Sequence, residues 1–311
     1  MNRRQFNQWA SLLLAQLLAS PGHAAGKPVI GMLLKSMRNE FFKLMADAAQ
    51  KYYRAKASEF ELLLDGVQEE TDVKGQEDII KRWAGRQLDA LIVVPADSVT
   101  LLPTLLKAIE RGCLVINMDN KLDDRALAAA GVNIPFVGPS NFAGAKSVGE
   151  YVARQLPAGS FVGLIEGPPN SINAKARSDG FRAALRAANM NVAGIRSGFW
   201  EVEKGKAAAL ELLKAFPDIK ALLCGNDNMA IGAAAAVNSR SATVSVLVAG
   251  YDHIPAIRPL IAEGKVAATA DQHPETQVEF AIDLATNAVK KRMMQSELPT
   301  IVQTPVQLIT Q

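Results

Sequence analysis

An alternation narrows the fold of this chain more than any other feature. Short apolar runs fall at 29–34, 60–64, 90–94, 114–118, 134–137, 161–165, 219–223, 244–249 and 266–269. Amphipathic stretches lie between them, at 40–56, 71–85, 99–111, 140–155, 173–188, 203–215, 226–238, 254–263 and 274–292. Short apolar runs suit strands buried on both faces, and the longer amphipathic stretches suit helices. Strands alternating with helices predict an α/β fold, a parallel sheet with helices on both faces. Right-handed crossovers then bring every strand's C-terminal end to one edge, and ligands of open α/β sheets bind outside that edge. A weak echo between LDALIVVPADS at 88–98 and IKALLCGNDNM at 219–229 fits two similar halves facing a shared cleft.

The first 25 residues read as a leader rather than as part of this pattern. MNRRQFNQ is basic, WASLLLAQLLAS is an apolar run of 12 residues, and PGHAA supplies small residues for cleavage near Ala24 or Ala25. That order is the secretory signature, and the run is too short to cross a bilayer. Arg3-Arg4 also resembles a twin-arginine signal. The expectation is an exported, periplasmic protein whose domains begin at residue 27.

Without Arg3 and Arg4 the formal charge falls from +3 to +1. No basic block remains that would call for nucleic acid or an anionic membrane surface. A chain of 311 residues buries enough core to need no disulfide. Cys113 and Cys224 each sit in an apolar strand-like run and read as buried free thiols. The three histidines are His23 in the leader and His253 and His273, set apart in sequence. With no metal-ligand spacing, no GxSxG and no phosphate-binding glycine loop, the chain reads as a non-enzyme with no metal and no cofactor.

The residues just past each apolar run are chemically selective. Asn39, Phe41 and Phe42 follow the first, and Asp119-Asn120 the fourth. EGPPNSINAKAR leads from the 161–165 run through Arg177, and NVAGIRSGFWE ends in Phe199-Trp200. Asn226-Asp227, Tyr251-Asp252 and Asp271-Gln272 close the last three. Carboxylates accept hydroxyl protons, Arg donates in a planar fork, amides do both, and aromatic rings offer flat apolar faces. A small polyhydroxylated ring needs that combination. Blander roles stand beside it: Asn226-Asp227 as a helix cap, Tyr251 as a lid over a hinge, Lys175 on the rim, Phe41 and Phe42 as packing. Adjacent helical residues point about 100° apart, so the two phenylalanines should not both enter one core.

The stretches RNEFFKLMADAAQ, VINMD, ARSDGFRAAL, LLCGNDNMAIGA, VAGYDHIP and ATADQHPE carry a resemblance. The chain resembles the type I periplasmic sugar-binding proteins, the ribose binders most closely, from about residue 28 to its end. The resemblance implies two Rossmann-like lobes with parallel sheets joined by a three-strand hinge. It divides the chain into 27–139 with 272–297 and 140–271 with 298–311, with crossings near 138–140, 270–272 and 295–300. It implies that Asn39 bonds a hydroxyl, that Phe41 and Phe42 cover one ring face and Trp200 the other, and that Asp119 and Arg177 clamp ring hydroxyls. Asn120, Asn226, Asp252 and Gln272 complete the expected set.

Three departures bear on the ligand. Val94 stands where the ribose binder has an amide, Asn120 where an Arg is usual, and Trp200 where a smaller aromatic is usual. The resemblance therefore implies a monosaccharide or polyol, with ribose itself in doubt. The implied partner of this monomer is an inner-membrane ABC permease. Presentation to a chemoreceptor or sensor kinase is the alternative, since both need only a recognisable closed form. Regulators of the lac-repressor type share the fold but carry a helix-turn-helix where this chain has its leader. Asp119→Ala, Arg177→Ala and Asn226→Ala are each expected to remove ligand-induced stabilisation and leave the fold intact.

Overall fold

The structure, a computed structural model, describes residues 26–239 and 245–311. The leader and the first residue of the 244–249 run lie outside them. The described residues form two lobes, each built on a six-stranded sheet.

The first lobe runs β1 (Val29–Leu34), α1 (Glu40–Ala55), β2 (Glu61–Gly66), α2 (Val73–Trp83), β3 (Ala90–Val93), α3 (Leu102–Glu110), β4 (Leu114–Met118), α4 (Asp124–Ala130) and β5 (Phe136–Gly138). The chain then enters the second lobe as α5 (Asn141–Ala153), β6 (Phe161–Glu166), α6 (Ile172–Ala187), β7 (Asn191–Ser197), α7 (Val202–Ala215), β8 (Ile219–Cys224), α8 (Asp227–Asn238), β9 (Leu247–Ala249), α9 (Arg258–Ala262) and β10 (Ala268–Asp271). It returns to the first lobe through α10 (Pro274–Lys290), which packs on α1 and on β3 and β4. The chain ends with β11 (Ile301–Gln303) and β12 (Gln307–Thr310).

Strand order is β11-β5-β4-β3-β1-β2 in one sheet and β12-β10-β9-β8-β6-β7 in the other. Pairing is parallel except between β10 and β12. The central strands β3 and β4 are buried along their whole length, which is why they read as unbroken apolar runs.

The expected C-terminal boundary needs correction. Residues 298–311 were assigned to the second lobe, but Ile301–Gln303 pairs in parallel with Phe136–Gly138 in the first sheet. Only β12 joins the second, so the third crossing falls between Gln303 and Gln307. Half-exposed edge strands carry little apolar signal, and IVQ and QLIT have no run to reveal them. β7 escaped the list of apolar runs for the same reason, being exposed or half-exposed throughout.

Polar caps fix where the helices start at the cleft edge. Asn39 accepts from the Phe41 amide, Ser171 from the Ala174 amide and Asn226 from the Met229 amide. Each such cap contributes about 1 kcal/mol. Gln76, fully buried, donates to the Val94 carbonyl at 2.8 Å and accepts from the Ala96 amide at 2.8 Å, tying down the turn after β3. Cys113 and Cys224 are buried free thiols in different lobes, and burial pushes the Cys113 thiol up to about 12.

Candidate functional site

The C-terminal ends of the two sheets face each other across a small cavity. All ten residues expected from sequence line it: Asn39, Phe41, Phe42, Asp119, Asn120, Arg177, Trp200, Asn226, Asp252 and Gln272. Lys35, Glu70 and Asn173 line it too, and sequence reasoning missed them.

The aromatic walls come from both lobes. Phe41 and Phe42 are both buried, their rings edge-to-face with centroids 5.5 Å apart. Contrary to the expectation that they would not share a core, both belong to one apolar cluster, because at the first turn of α1 both rings reach the cavity wall. Trp200 sits in a turn where Phe199 and Trp200 take positive φ values of 53° and 68°. Its carbonyl accepts from Asn226 and Asn228 side chains at 3.3 and 3.2 Å, which hold this strained turn. The indole lies against Gly167, where an added Cβ would fall 2.1 Å from the ring. Gly167→Ala is therefore expected to push the indole out of place and weaken ligand binding at least tenfold. Calorimetric titration checks this, and an unchanged affinity would show that the indole plane does not matter.

Arg177, 4% exposed, anchors the second lobe's polar wall. Its Nε donates to Asn141 Oδ1 at 2.7 Å, and one terminal nitrogen donates to the Gly225 carbonyl at 2.7 Å and to Asp252 Oδ1 at 3.2 Å. The guanidinium stacks 3.9 Å over the Tyr251 ring. Tyr251 is thus a fully buried platform behind Arg177 rather than a lid. Gln272 donates to the same Asp252 oxygen at 2.7 Å. Burial raises the Asp252 carboxyl well above its usual range, against the pull of Arg177. The expectation that Arg177→Ala leaves the fold intact is revised, because this side chain also ties α6 to α5 and to the turns after β8 and β9.

The first lobe contributes Asp119 at positive φ, 59°, with Oδ1 buried and without a hydrogen-bond partner. Burial pushes its carboxyl up to about 6, while Arg177 and Lys35 pull it down. Asn39 donates to Glu70 Oε1 at 2.8 Å, and Lys35 pairs with Glu70 Oε2 at 3.0 Å. Lys35 lies one residue past the first apolar run, so the strand-end rule could have found it. Glu70 lies in the charged stretch QEETD, six residues past the second apolar run.

Two expected ligand residues are heavily engaged with protein. The Asn120 amide donates to the Pro95 carbonyl at 2.7 Å, shaping the wall. Asn226 caps α8 and donates to Trp200. Asp227, which sequence left between cap and ligand, is fully buried and accepts from Thr269 Oγ1 at 2.7 Å and the Ile254 amide at 3.0 Å, away from the cavity. Val94 is buried and does not line the cavity. Lys175 pairs with Asp179 on the surface.

The cavity therefore offers a surplus of acceptors. Asp119 Oδ1 and Gln272 Oε1 are buried without partners. Buried polar groups without partners are rare in folded proteins. Such a site, between two parallel-sheet lobes and walled by aromatics and paired charges, is that of a two-lobed binder of a small, donor-rich molecule.

Comparison with known proteins agrees. The periplasmic binding protein domain matches residues 30–293, and the chain belongs to that family. It is 43% identical over 284 residues to the D-ribose/D-allose-binding protein of Pseudomonas aeruginosa, covering 91% of this chain and 89% of that one. It superposes with a TM-score of 0.89 and 44% identity on an ABC transporter solute binding protein of Burkholderia multivorans, covering 92% and 100% of the two chains. That structure holds an unknown ligand represented as α-D-erythrofuranose. A solute binding protein of Actinobacillus succinogenes with bound D-allose gives a TM-score of 0.83 at 30% identity, covering 91% and 98%.

Proposed function

We propose that this chain captures a monosaccharide or polyol between its lobes and hands it to an ABC-type importer of the inner membrane. The observation that carries this reading is the pair of buried, partnerless acceptors, Asp119 Oδ1 and Gln272 Oε1, set between aromatic walls from opposite lobes. Hydroxyl donors of a sugar would satisfy both. Each buried acceptor left unpaired costs about 1–3 kcal/mol, which ligand binding recovers. The ring's C–H faces would lie between Phe41 and Phe42 on one side and Trp200 on the other. Arg177 and Lys35 would donate to ring oxygens, and Asp252, Glu70, Asn39 and Asn226 would complete the contacts, with Asn120 shaping the wall. The lining carries two cations, Lys35 and Arg177, and three carboxylates, Glu70, Asp119 and Asp252, which favours a neutral ligand over a sugar acid or phosphate.

The names of the relatives make D-ribose and D-allose the first probes. The leader would deliver the protein to the periplasm, where the closed lobes form the surface a permease recognises. A chemoreceptor or sensor kinase would read that same surface.

A thermal-shift panel on the mature protein tests this, with pentoses, hexoses and polyols set against amino acids. A ligand at 100 times its Kd adds about 2.7 kcal/mol and raises the melting point by several degrees, roughly. Trp200 emission should change with the same ligand, while Trp83, buried in the first lobe, should not respond. No shift with any sugar or polyol, or a shift with amino acids alone, would overturn the sugar reading.

A further inference from the structure

The lobes are joined across the cleft by more than the hinge. The start of α6 and the residues just before it carry a row of hydrogen bonds to the first lobe. The Asn170 amide donates to the Asp97 carboxylate, and the Ile172 backbone N–H donates to Ser98 Oγ at 3.2 Å. Asn173 does more. Its Nδ2 donates to the Asp119 carbonyl at 2.9 Å, and its Oδ1 accepts from the Lys121 N–H at 3.1 Å. One side chain of the second lobe thus grips the main chain on both sides of the 119–121 turn. Asn173 is 3% exposed, so these bonds are sheltered from water.

The gripped residue is unusual. Asp119 is a non-glycine residue at φ 59°, a conformation disfavoured for L residues that persists only where surroundings over-determine it. Its Oδ1 is one of the buried, partnerless acceptors of the cavity. Arg177 lies on the same helix, one turn beyond Asn173. Because the two share one rigid helix, any movement that brought Arg177 over the cavity would also dock Asn173 on the Asp119 backbone.

We propose that Asn173 is a positioning residue that makes affinity depend on closure: it holds Asp119 in its ligand-facing conformation only when the lobes are shut. Part of the proposal rests on the sugar reading above, because its effect on affinity is exerted through Asp119. The clasp itself does not need a ligand. It biases the closed form by acting on that state alone, so its loss should appear in the dissociation rate.

The test has a ligand-free arm and a ligand arm. For the first, fluorescent labels go on Lys51→Cys in the first lobe and Lys214→Cys in the second, both exposed, with the native thiols buried. Asn173→Ala is expected to shift the ligand-free distance distribution toward the open form. For the second, D-ribose and D-allose are titrated and chased by stopped flow. Asn173→Ala should weaken binding roughly tenfold to a hundredfold, almost all of it in faster dissociation. In an Asp119→Asn background the same change should cost clearly less, because the positioned carboxylate is gone and only the bias toward closure remains. Asn173→Asp, which keeps the acceptor for Lys121 but sets a buried carboxylate oxygen against the Asp119 carbonyl, should weaken binding at least as much as Asn173→Ala.

A residue that merely stabilised α6 would lower the melting point and cost the same factor in both backgrounds, and that result overturns the proposal. So does an unchanged distance distribution with unchanged dissociation. If neither sugar binds the parent but Asn173→Ala still opens the ligand-free protein, the clasp stands and D-ribose and D-allose are ruled out as its ligands.

Discussion

Arg177→Ala is expected to abolish sugar binding and to destabilise the protein by about 3–5 kcal/mol, the range for removing one partner of a buried ion pair. The deletion strands several groups at once. Asp252, 5% exposed, loses its counter-charge and keeps only Gln272. Asn141 Oδ1 and the Gly225 carbonyl lose their donors, and the Tyr251 ring loses the guanidinium stacked over it. Lysine cannot reproduce a planar fork that serves three acceptors at once, so Arg177→Lys should recover some stability and little affinity. Thermal melts followed by circular dichroism, paired with calorimetric titration of the sugar, separate the two effects. A variant that melts with the parent would show that Arg177 is held for the ligand alone and that α6 is anchored elsewhere.

Asp119→Asn should move stability and binding in opposite directions. The Asp119 carboxyl, ordinarily near 3.8, is pushed up to about 6 by burial, against the pull of Arg177 and Lys35. A pKa raised by folding means that the protonated form is the one the ligand-free fold prefers. Its contribution to stability is complete below the unfolded value near 3.8 and is lost as pH rises through about 6. At pH 7 the ionised group therefore destabilises the ligand-free protein, by at most about 3 kcal/mol. Asp119→Asn removes that charge and should raise the melting point at neutral pH, the two proteins converging near pH 4. Affinity has the reverse dependence, because an ionised carboxylate is the stronger acceptor for hydroxyl protons. The parent should bind its sugar more weakly as pH falls through about 6, and Asp119→Asn should bind weakly throughout. A melting point that falls on substitution at pH 7 would mean that the cationic neighbours, rather than burial, dominate this carboxyl.

Both variants make the same physical point about the site. The cleft holds ionisable groups out of water with their hydrogen bonding incomplete, an arrangement that is unfavourable until a ligand supplies donors. Binding and lobe stability are coupled through those groups, so they cannot be tuned independently at Arg177 or Asp119.

Much of the site was legible because of a rule about parallel sheets. Strand ends share one edge, and the turns that follow them are where polar and aromatic side chains can meet a ligand. That rule brings Asn39, Asp119, Asn226, Asp252 and Gln272 to one edge, where they do line one cavity, but it equally offers Phe199, Asp227, Tyr251 and Asp271, which do not, and the family resemblance made the selection. Lys35 obeys the rule and was passed over. Asn173 and Glu70 were not separable from their polar surroundings, because NSIN and QEETD look like ordinary caps and surface charge until the lobes close on them. The edge strands β7, β11 and β12 were lost because half-exposed pairing leaves no apolar run.

What the sequence by itself determined is the list of elements and the chemistry at their ends: apolar periodicity selects strand or helix locally, and caps such as Asn39, Ser171 and Asn226 set where helices begin. The tertiary structure alone decided which of those groups are used by the protein and which are left for a ligand. Asn226 and Asn120 proved largely engaged internally, Asp227 became a buried anchor, and Arg177 became both clamp and core. It also decided which lobe takes β11, and that Asn173 reaches across the cleft. The reason is that a hydrogen bond depends on the distance between residues far apart in the chain. Local sequence sets which donors and acceptors exist, and only the closed fold sets which of them find each other.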